Sequence, residues 1–166
     1  KWALSINYAR LSIVRPDYGY AGDGQDPRET VEWPEDDGLW KMDLQTGETK
    51  LILSVAAARS LMPQTKPVKG KPGRPLAYFC HTIISKDDAK IFFLARSIDW
   101  FDKKIHKTSI WQTTSFTVDN DGTGLRRCFK DGWMGSHFRF VPGKFTPSAC
   151  LVSIGSIASA PLRPWG

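Results

Sequence analysis

Two histidines at similar places in the sequence are the first residues that could have a chemical role. His81 lies in the segment CHTIIS and His137 in SHFRF, each where a strand-like run begins. If these runs are the innermost strands of successive β-units around one axis, both imidazoles can bind one divalent cation, with carboxylate, amide or water completing its shell. The alternative is structural, with each imidazole bonded to the backbone of a neighbouring unit. His106, in the charged segment DKKIHKTS, is expected to lie in a solvated turn.

Arginines and tyrosines are the next candidates, as ligand-binding residues. Arg96 ends the apolar run IFFLAR, and Arg10 holds a comparable place in NYARLS. A planar guanidinium can hold a carboxylate or sulfate through two parallel hydrogen bonds. Tyr18 and Tyr20, which share the segment RPDYGYAG with Arg15, can stack on a sugar ring. Two alternatives stay open: either arginine can pair with an acid on a loop, and the tyrosines can pack over a sheet edge.

The composition indicates one ordinary globular domain. The chain has 166 residues, of which 41% are hydrophobic and 24% charged. No run approaches the roughly 18 apolar residues that a membrane-spanning helix needs, and the first residues lack the apolar core of a signal peptide. The three cysteines, Cys80, Cys128 and Cys150, form no CxxC pair. They favour a reducing compartment, hence the cytoplasm over the periplasm, and predict neither a disulfide framework nor a zinc finger.

The net charge of +6 is concentrated in one segment. Residues 65–75, TKPVKGKPGRP, contain Lys66, Lys69, Lys71 and Arg74 and no acid. Their prolines and glycines predict an extended, solvated loop. A polyanion-binding arm is the alternative, but no aromatic residue is interleaved to stack on bases, so nucleic acid is not an expected partner.

Two similar hairpins indicate an antiparallel β fold. In LWKMDLQTGETKLILS a strand ends at Asp43 and Gly47 lies in the turn; in TSFTVDNDGTGLRRCF a strand ends at Asp119 and residues 121–124 make the turn. An aspartate at a strand end can accept hydrogen bonds from the turn backbone, and glycine supplies the positive φ. Both units therefore read as strand, aspartate, polar turn with glycine, and returning strand.

Further strands precede each hairpin and suggest a four-stranded repeat. TIISKDDAKIFFLAR supplies two strands around an Asp-Asp turn, whereas WALSINYARLS supplies only part of the equivalent unit. Four antiparallel strands per repeat are typical of a β-propeller blade. The one expected helix is SVAAARSLM, which Ser54 can cap and Pro63 ends.

We therefore predict an all-β fold, an incomplete β-propeller of antiparallel four-stranded blades with one short helical insertion. The expected partial propeller covers residues 1–140, and residues 141–166 form an irregular tail. Its parts are blades around 1–54 and 76–130, the start of a third at 136–140, and a helix and basic loop inserted at 54–75. Closed propellers need about 4 to 8 blades. The chain, which lacks an initiator Met, is expected to belong to a longer propeller.

The blade segments also resemble a known family. ISKDDAKIFFLAR, TTSFTVDNDGTGLRRCF and SHF are similar to TolB-like propellers, in which an Asp-x-Asp-Gly turn joins the outer strands. The resemblance is closer to bacterial propellers related to oligogalacturonate lyase, whose blades bear histidines near the start of the innermost strand. RLSIVRPDYGYAG and PEDDGLWKMDLQTGETKLILS resemble segments of that group. The resemblance spans roughly residues 3–140.

The resemblance implies a function at the central channel. In oligogalacturonate lyases a divalent metal, here Mn or Ca, neutralises the uronate carboxylate while a histidine removes the neighbouring proton. By resemblance, His81 and His137 are metal ligands, or one is the base of a β-elimination on pectin fragments. The expected function is binding of a carbohydrate or small anionic ligand. The alternative is a non-enzymatic scaffold for protein partners, and the missing blades of a longer chain are partners in either case.

Overall fold

The computed structural model describes residues 1–20, 26–71, 74–102, 107–109, 111–129 and 140. As expected, most of its regular structure is β and all strand pairs are antiparallel; one short α-helix is also present. No sheet within these residues closes on itself. In chain order the elements are β1 (Trp2–Ser5), α1 (Tyr8–Val14), β2 (Gly38–Asp43), β3 (Thr49–Ser54), a 3-10 helix (Ala56–Leu61), β4 (Leu76–Ile84), β5 (Lys90–Ile98), β6 (Phe101–Asp102), β7 (Lys107–Thr108), β8 (Gln112–Asp119) and β9 (Arg126–Arg127).

The larger sheet has four strands in the order β4-β5-β8-β9. The four strands follow one another in the sheet in the same order as in the chain. The small hairpin β6–β7 is inserted in the chain between β5 and β8. On one face Phe79, Phe93 and Phe116 pack in a row, with ring centroids 4.6 and 5.5 Å apart. Because strand side chains alternate between faces, Tyr78 and Arg96 lie on the opposite face.

The smaller sheet has three strands in the order β1-β2-β3. The segment WALSINYARLS is only partly strand, since α1 begins at Tyr8. The side chain of Asn7 caps this helix by accepting a hydrogen bond from the Arg10 backbone N–H at 3.0 Å. Leu11 and Val14 of this helix are buried. The expectation that SVAAARSLM is the one helix was therefore wrong, because a capped amphipathic helix follows the four residues of β1.

The turns follow the expected pattern closely. Asp43 ends β2, and its carboxylate accepts hydrogen bonds from the backbone N–H groups of Gln45 and Thr46 at 2.7 and 3.2 Å. Asp121 accepts the Thr123 N–H at 2.9 Å in the second hairpin. Gly47 has a φ of +74°, in the left-handed region that glycine adopts without strain. The predicted hairpins are confirmed, although the return strand β9 pairs over only two residues.

The predicted helical insertion is present as a 3-10 helix. It spans Ala56–Leu61, and the Ser54 hydroxyl accepts a hydrogen bond from the Ala57 N–H at 3.2 Å, as expected for a cap. The basic segment that follows is exposed at Lys66, Lys69 and Lys71.

The two sheets meet at the β8–β9 turn. Gly122 has a φ of +92° and lies so close to the Ile52 carbonyl oxygen of β3 that a Cβ would clash with it. Lys41 of β2 donates a hydrogen bond from Nζ to the Asn120 carbonyl at 3.1 Å. The tip of the larger sheet is therefore fixed against the smaller one. Within the described chain, no helix is long and apolar enough to cross a membrane.

The last predicted segments cannot be placed. The third unit at 136–140 and the tail at 141–166 lie outside the described residues, apart from residue 140.

Candidate functional site

Arg96 lies in the middle row of the larger sheet. It pairs with Tyr78 of β4 on one side and with Thr113 of β8 on the other. Directly opposed residues share one face of a sheet, so these three side chains are neighbours. Arg96 is 8% exposed and Tyr78 is 1% exposed. The sheet therefore carries a guanidinium into a largely dry environment, where an unpaired charge is costly.

Trp111, just before β8, brings a second arginine to the same place. The guanidinium carbon of Arg96 lies 5.0 Å from the centroid of the Trp111 ring, and that of Arg15 lies 4.8 Å from it. Arg15 also lies 4.4 Å from the Tyr18 ring. Cation–π contacts of this kind contribute about 0.5–2 kcal/mol each, more where water is excluded. We call Arg15, Tyr18, Tyr78, Arg96 and Trp111 the arginine–aromatic cluster.

The arginine–aromatic cluster contains buried donors without acceptors. Within the described residues, Arg96 Nε and Trp111 Nε1 make no hydrogen bond, and neither Arg15 nor Arg96 forms an ion pair. The Tyr78 hydroxyl lies beside the Arg96 guanidinium without a hydrogen bond of ordinary geometry. A buried polar group left unsatisfied costs about 1–3 kcal/mol. These groups are what a bound acceptor would satisfy.

The neighbouring acidic groups do not supply the missing negative charge. Burial raises the pKa of the Cys80 thiol to about 11, and the charges of Arg96 and Arg15 offset this only in part. Burial also raises the pKa of the Tyr78 hydroxyl, against the same opposing charges. Both groups are therefore protonated and neutral at pH 7. The cluster keeps two positive charges with no carboxylate among the described residues to neutralise them.

Arg10 has a different environment from Arg96. It is 1% exposed, and its guanidinium lies 3.2 Å from the Asp26 carboxylate as a buried ion pair. Its five N–H groups donate to the Asp26 side chain and to the carbonyl oxygens of Ala77, Arg28, Val31 and Glu32. Burial lowers the pKa of Arg10, and the nearby Asp26 opposes that shift.

The structure therefore confirms the alternative for Arg10, in which the arginine pairs with an acid on a loop. Asn7 extends this network by donating to Asp26 and Asp37 at 3.3 and 2.9 Å. A ligand-binding role for Arg10 stays a prediction, and it would require one of these hydrogen bonds to break.

The two tyrosines lie on a loop that folds back over α1. Tyr18 is 60% exposed and Tyr20 is 71% exposed, and the Tyr20 ring packs 5.1 Å from that of Tyr8. Gly19 comes so close to the helix backbone at Ser12 that no side chain would fit. Tyr18 therefore joins the arginine–aromatic cluster through Arg15, whereas Tyr20 contacts the helix. Stacking of either ring on a sugar stays a prediction.

His81 does not open its strand. The strand β4 begins at Leu76, and His81 is its sixth residue, exposed at a bulge between Cys80 and Ile83. Its φ of +53° is in the left-handed region, which is rare for a residue with a side chain. The expectation was wrong because the apolar residues before His81 pair with the far end of β5 and lengthen the strand.

The metal hypothesis is not tested by this arrangement. His137 and His106 lie outside the described residues, so the distance between His81 and His137 is not defined. Among the residues that are described, no three His, Cys, Asp or Glu side chains come together as a metal site would require. A divalent metal held by His81 and His137 stays a prediction.

Sequence reasoning missed Trp111 and Tyr78 as members of the site. Tyr78 reads as one more apolar residue of LAYFC, and Trp111 as one of seven tryptophans. Tyr78 is recognised as a member of the site only from the strand register, which places it opposite Arg96. The segment RPDYGY did signal Arg15 and Tyr18, through the close spacing of a cation and an aromatic ring.

Comparison with known proteins gave no match to a family model, a curated protein or a solved structure. The resemblance to TolB-like and oligogalacturonate lyase-related propellers therefore stays a prediction.

Proposed function

We propose that this chain is a β-propeller module that binds a small anionic ligand, such as an acidic carbohydrate, at the arginine–aromatic cluster. The observation that carries the proposal is that Arg15 and Arg96 lie against the same indole ring with no acid beside them in the described part of the chain. Two like charges held this close repel each other, and partial burial strengthens the repulsion. A bound anion would remove it and would give the free donors an acceptor.

The architecture supports the propeller part of the proposal. The larger sheet is a four-stranded antiparallel meander, and the smaller one ends in a hairpin of the same construction. Asp43 and Asp119 end corresponding strands, each before a turn with glycine in the left-handed region. A repeat of this kind is how propellers build their blades. Further blades of a longer chain, or a second copy of this one, would complete the ring.

A metal-dependent lyase activity is a narrower form of the same proposal. It requires His81 and His137 to share a divalent cation, and it predicts a bound metal. We would measure metal in the purified protein by inductively coupled plasma mass spectrometry. Loss of a bound ion in both His81→Ala and His137→Ala would support it, and a metal-free protein that still binds anions would contradict the metal-dependent activity.

The scaffold alternative is favoured by the exposed tyrosines. Tyr8, Tyr18 and Tyr20 are 39, 60 and 71% exposed on the surface of α1 and the following loop. Tyrosines exposed together are enriched at protein interfaces. A pull-down in which Tyr20→Ser loses a partner that the unchanged protein retains would favour this alternative.

The anion proposal is tested by ligand-induced stabilisation. A ligand that binds only the native state raises the melting temperature. At fixed ionic strength, galacturonate should raise the melting temperature of the protein, and the neutral sugar galactose should not. Arg96→Met should abolish the effect, while Arg59→Met, at an exposed arginine outside the cluster, should retain it.

Arg15→Met serves as a second variant if Arg96→Met does not fold, and far-UV circular dichroism checks the fold of each. Equal effects of galacturonate and galactose, or a galacturonate effect unchanged in both cluster variants, would contradict the proposal.

A further inference from the structure

The inner arginine of the cluster differs from the outer one in what it offers a ligand. Arg96 is 8% exposed, and its Nε–H has no acceptor among the residues described. Arg15 lies against both the Tyr18 and Trp111 rings, at 4.4 and 4.8 Å, and is half-buried. Arg15 thus contacts two aromatic rings, whereas Arg96 retains the Nε–H that forms one side of a two-donor fork.

The other free donors of the arginine–aromatic cluster are single and neutral. They are the Tyr78 hydroxyl and the Trp111 indole N–H. Together with the Arg96 fork they form a small set of donors around one buried positive charge. A carboxylate matches this set, because its two oxygens accept the parallel bonds of the fork and keep lone pairs for further donors.

A phosphate or sulfate matches the same set less well. Both anions have a tetrahedral arrangement of oxygens, and at neutral pH both carry more negative charge than a carboxylate. Taking a dianion out of water costs much more than taking out a monoanion, and the penalty must be offset by more donors. The aromatic walls of Trp111 and Tyr78 provide few such donors.

We propose that the arginine–aromatic cluster selects organic carboxylates, with the carboxylate bound side-on to Arg96, over phosphate and sulfate. This inference rests on the proposed function, since it names the anion class of the same site. Arg96 Nε, Tyr78 Oη and Trp111 Nε1 are each shielded from solvent. The half-buried Arg15, which contacts the Trp111 ring, and the exposed Tyr18 are the more accessible members of the cluster. The side chains that shield the three donors must shift when a carboxylate binds.

The test is a competition between anion classes at constant ionic strength. Isothermal titration calorimetry would use propionate and benzoate against phosphate and sulfate. The unchanged protein should bind both carboxylates at least tenfold more tightly than either tetrahedral anion. Arg96→Lys keeps the charge and loses the fork, so it should still bind anions and should lose most of that discrimination. Arg59→Lys, outside the cluster, should retain it.

The outcomes separate this inference from the proposed function. If all four anions bind equally and Arg96→Met abolishes binding, the anion site stands and carboxylate selectivity is wrong. If no anion binds to the unchanged protein, both proposals are wrong. If Arg96→Lys keeps the full carboxylate preference, the side-on arrangement at Arg96 is wrong, and a Tyr78→Phe variant that also keeps it would remove the remaining support.

Discussion

Arg15 and Arg96 approach the same indole ring, with guanidinium carbons 4.8 and 5.0 Å from its centroid. The two guanidinium carbons therefore lie no farther apart than the sum of these distances. Arg10, by contrast, has a buried carboxylate as its partner. Two arginines that hold comparable places in the sequence, Arg10 and Arg96, thus differ in environment, because the charge of Arg10 is neutralised by Asp26 and that of Arg96 has no ion-pair partner in the described part of the chain.

Loss of the Arg10 side chain is expected to destabilise the fold strongly. In Arg10→Met, Asp26 remains buried without its partner, and removing one member of a buried pair costs about 3–5 kcal/mol. Arg28→Met is the matched control, because Arg28 pairs with Asp36 at the surface, where ion pairs contribute about 0–1 kcal/mol. Urea denaturation measures both free energies of unfolding. Similar values for the two variants would contradict a structural role for Arg10.

The contact between the two sheets can be tested at Gly122. Gly122→Ala should be much more destabilising than Gly47→Ala, although both glycines have a positive φ. The alanine at position 47 meets open space and carries only the backbone cost, about 1–2 kcal/mol, whereas the one at 122 also collides with the Ile52 carbonyl. Thermal unfolding of the two variants measures the difference. Equal melting temperatures would show that the β8–β9 turn does not pack on β3 in solution.

His81 can be tested for backbone strain separately from any ligand role. His81→Gly should be more stable than His81→Ala by about 1 kcal/mol, because glycine accepts a φ of +53° and alanine does not. Both variants lose the imidazole and whatever it contacts, so the comparison isolates the backbone term. Chemical denaturation supplies both free energies. A more stable alanine variant would mean that the bulge relaxes in solution.

The turn aspartates predict a loss of stability in acid. Hydrogen bonds hold the pKa of Asp43, Asp87 and Asp121 below the ordinary value of 3.8; the main donors are the Gln45 backbone, the Ser85 hydroxyl and the Thr123 backbone. A carboxylate with a lowered folded pKa stabilises the fold fully above its unfolded pKa and loses that contribution as the pH falls through the folded value. The free energy of unfolding should therefore fall below about pH 4.

Replacing all three aspartates by asparagine should flatten this acid dependence. Asparagine keeps an oxygen acceptor for the turn and does not titrate. The measurement is urea denaturation between about pH 2 and pH 6, with Asp17→Asn, an exposed aspartate outside these turns, as control. An unchanged slope in the triple variant would assign the acid sensitivity to other groups.

Local features of this protein were predictable from the sequence. The hairpins at Asp43 and Asp121 form within a few residues, since a carboxylate accepts bonds from N–H groups two or three positions ahead. Glycines take the positive φ angles that these turns need. The Ser54 cap of the short helix is local in the same way. Such interactions need no partner from a distant segment, so the residue types alone determine them.

The different environments of the candidate residues were decided only by tertiary structure. Arg10 of α1 contacts Asp26, which follows that helix in the chain. Arg96 of β5 and Arg15 from the end of α1 both contact Trp111, which lies just before β8. Each of these relationships depends on which chain segments pack together, and therefore on the free energy of burying the whole core. The spacing of residues in the sequence does not show which segments pack together. Sequence alone therefore could not distinguish Arg10, whose charge is neutralised, from Arg96, whose charge has no ion-pair partner among the described residues.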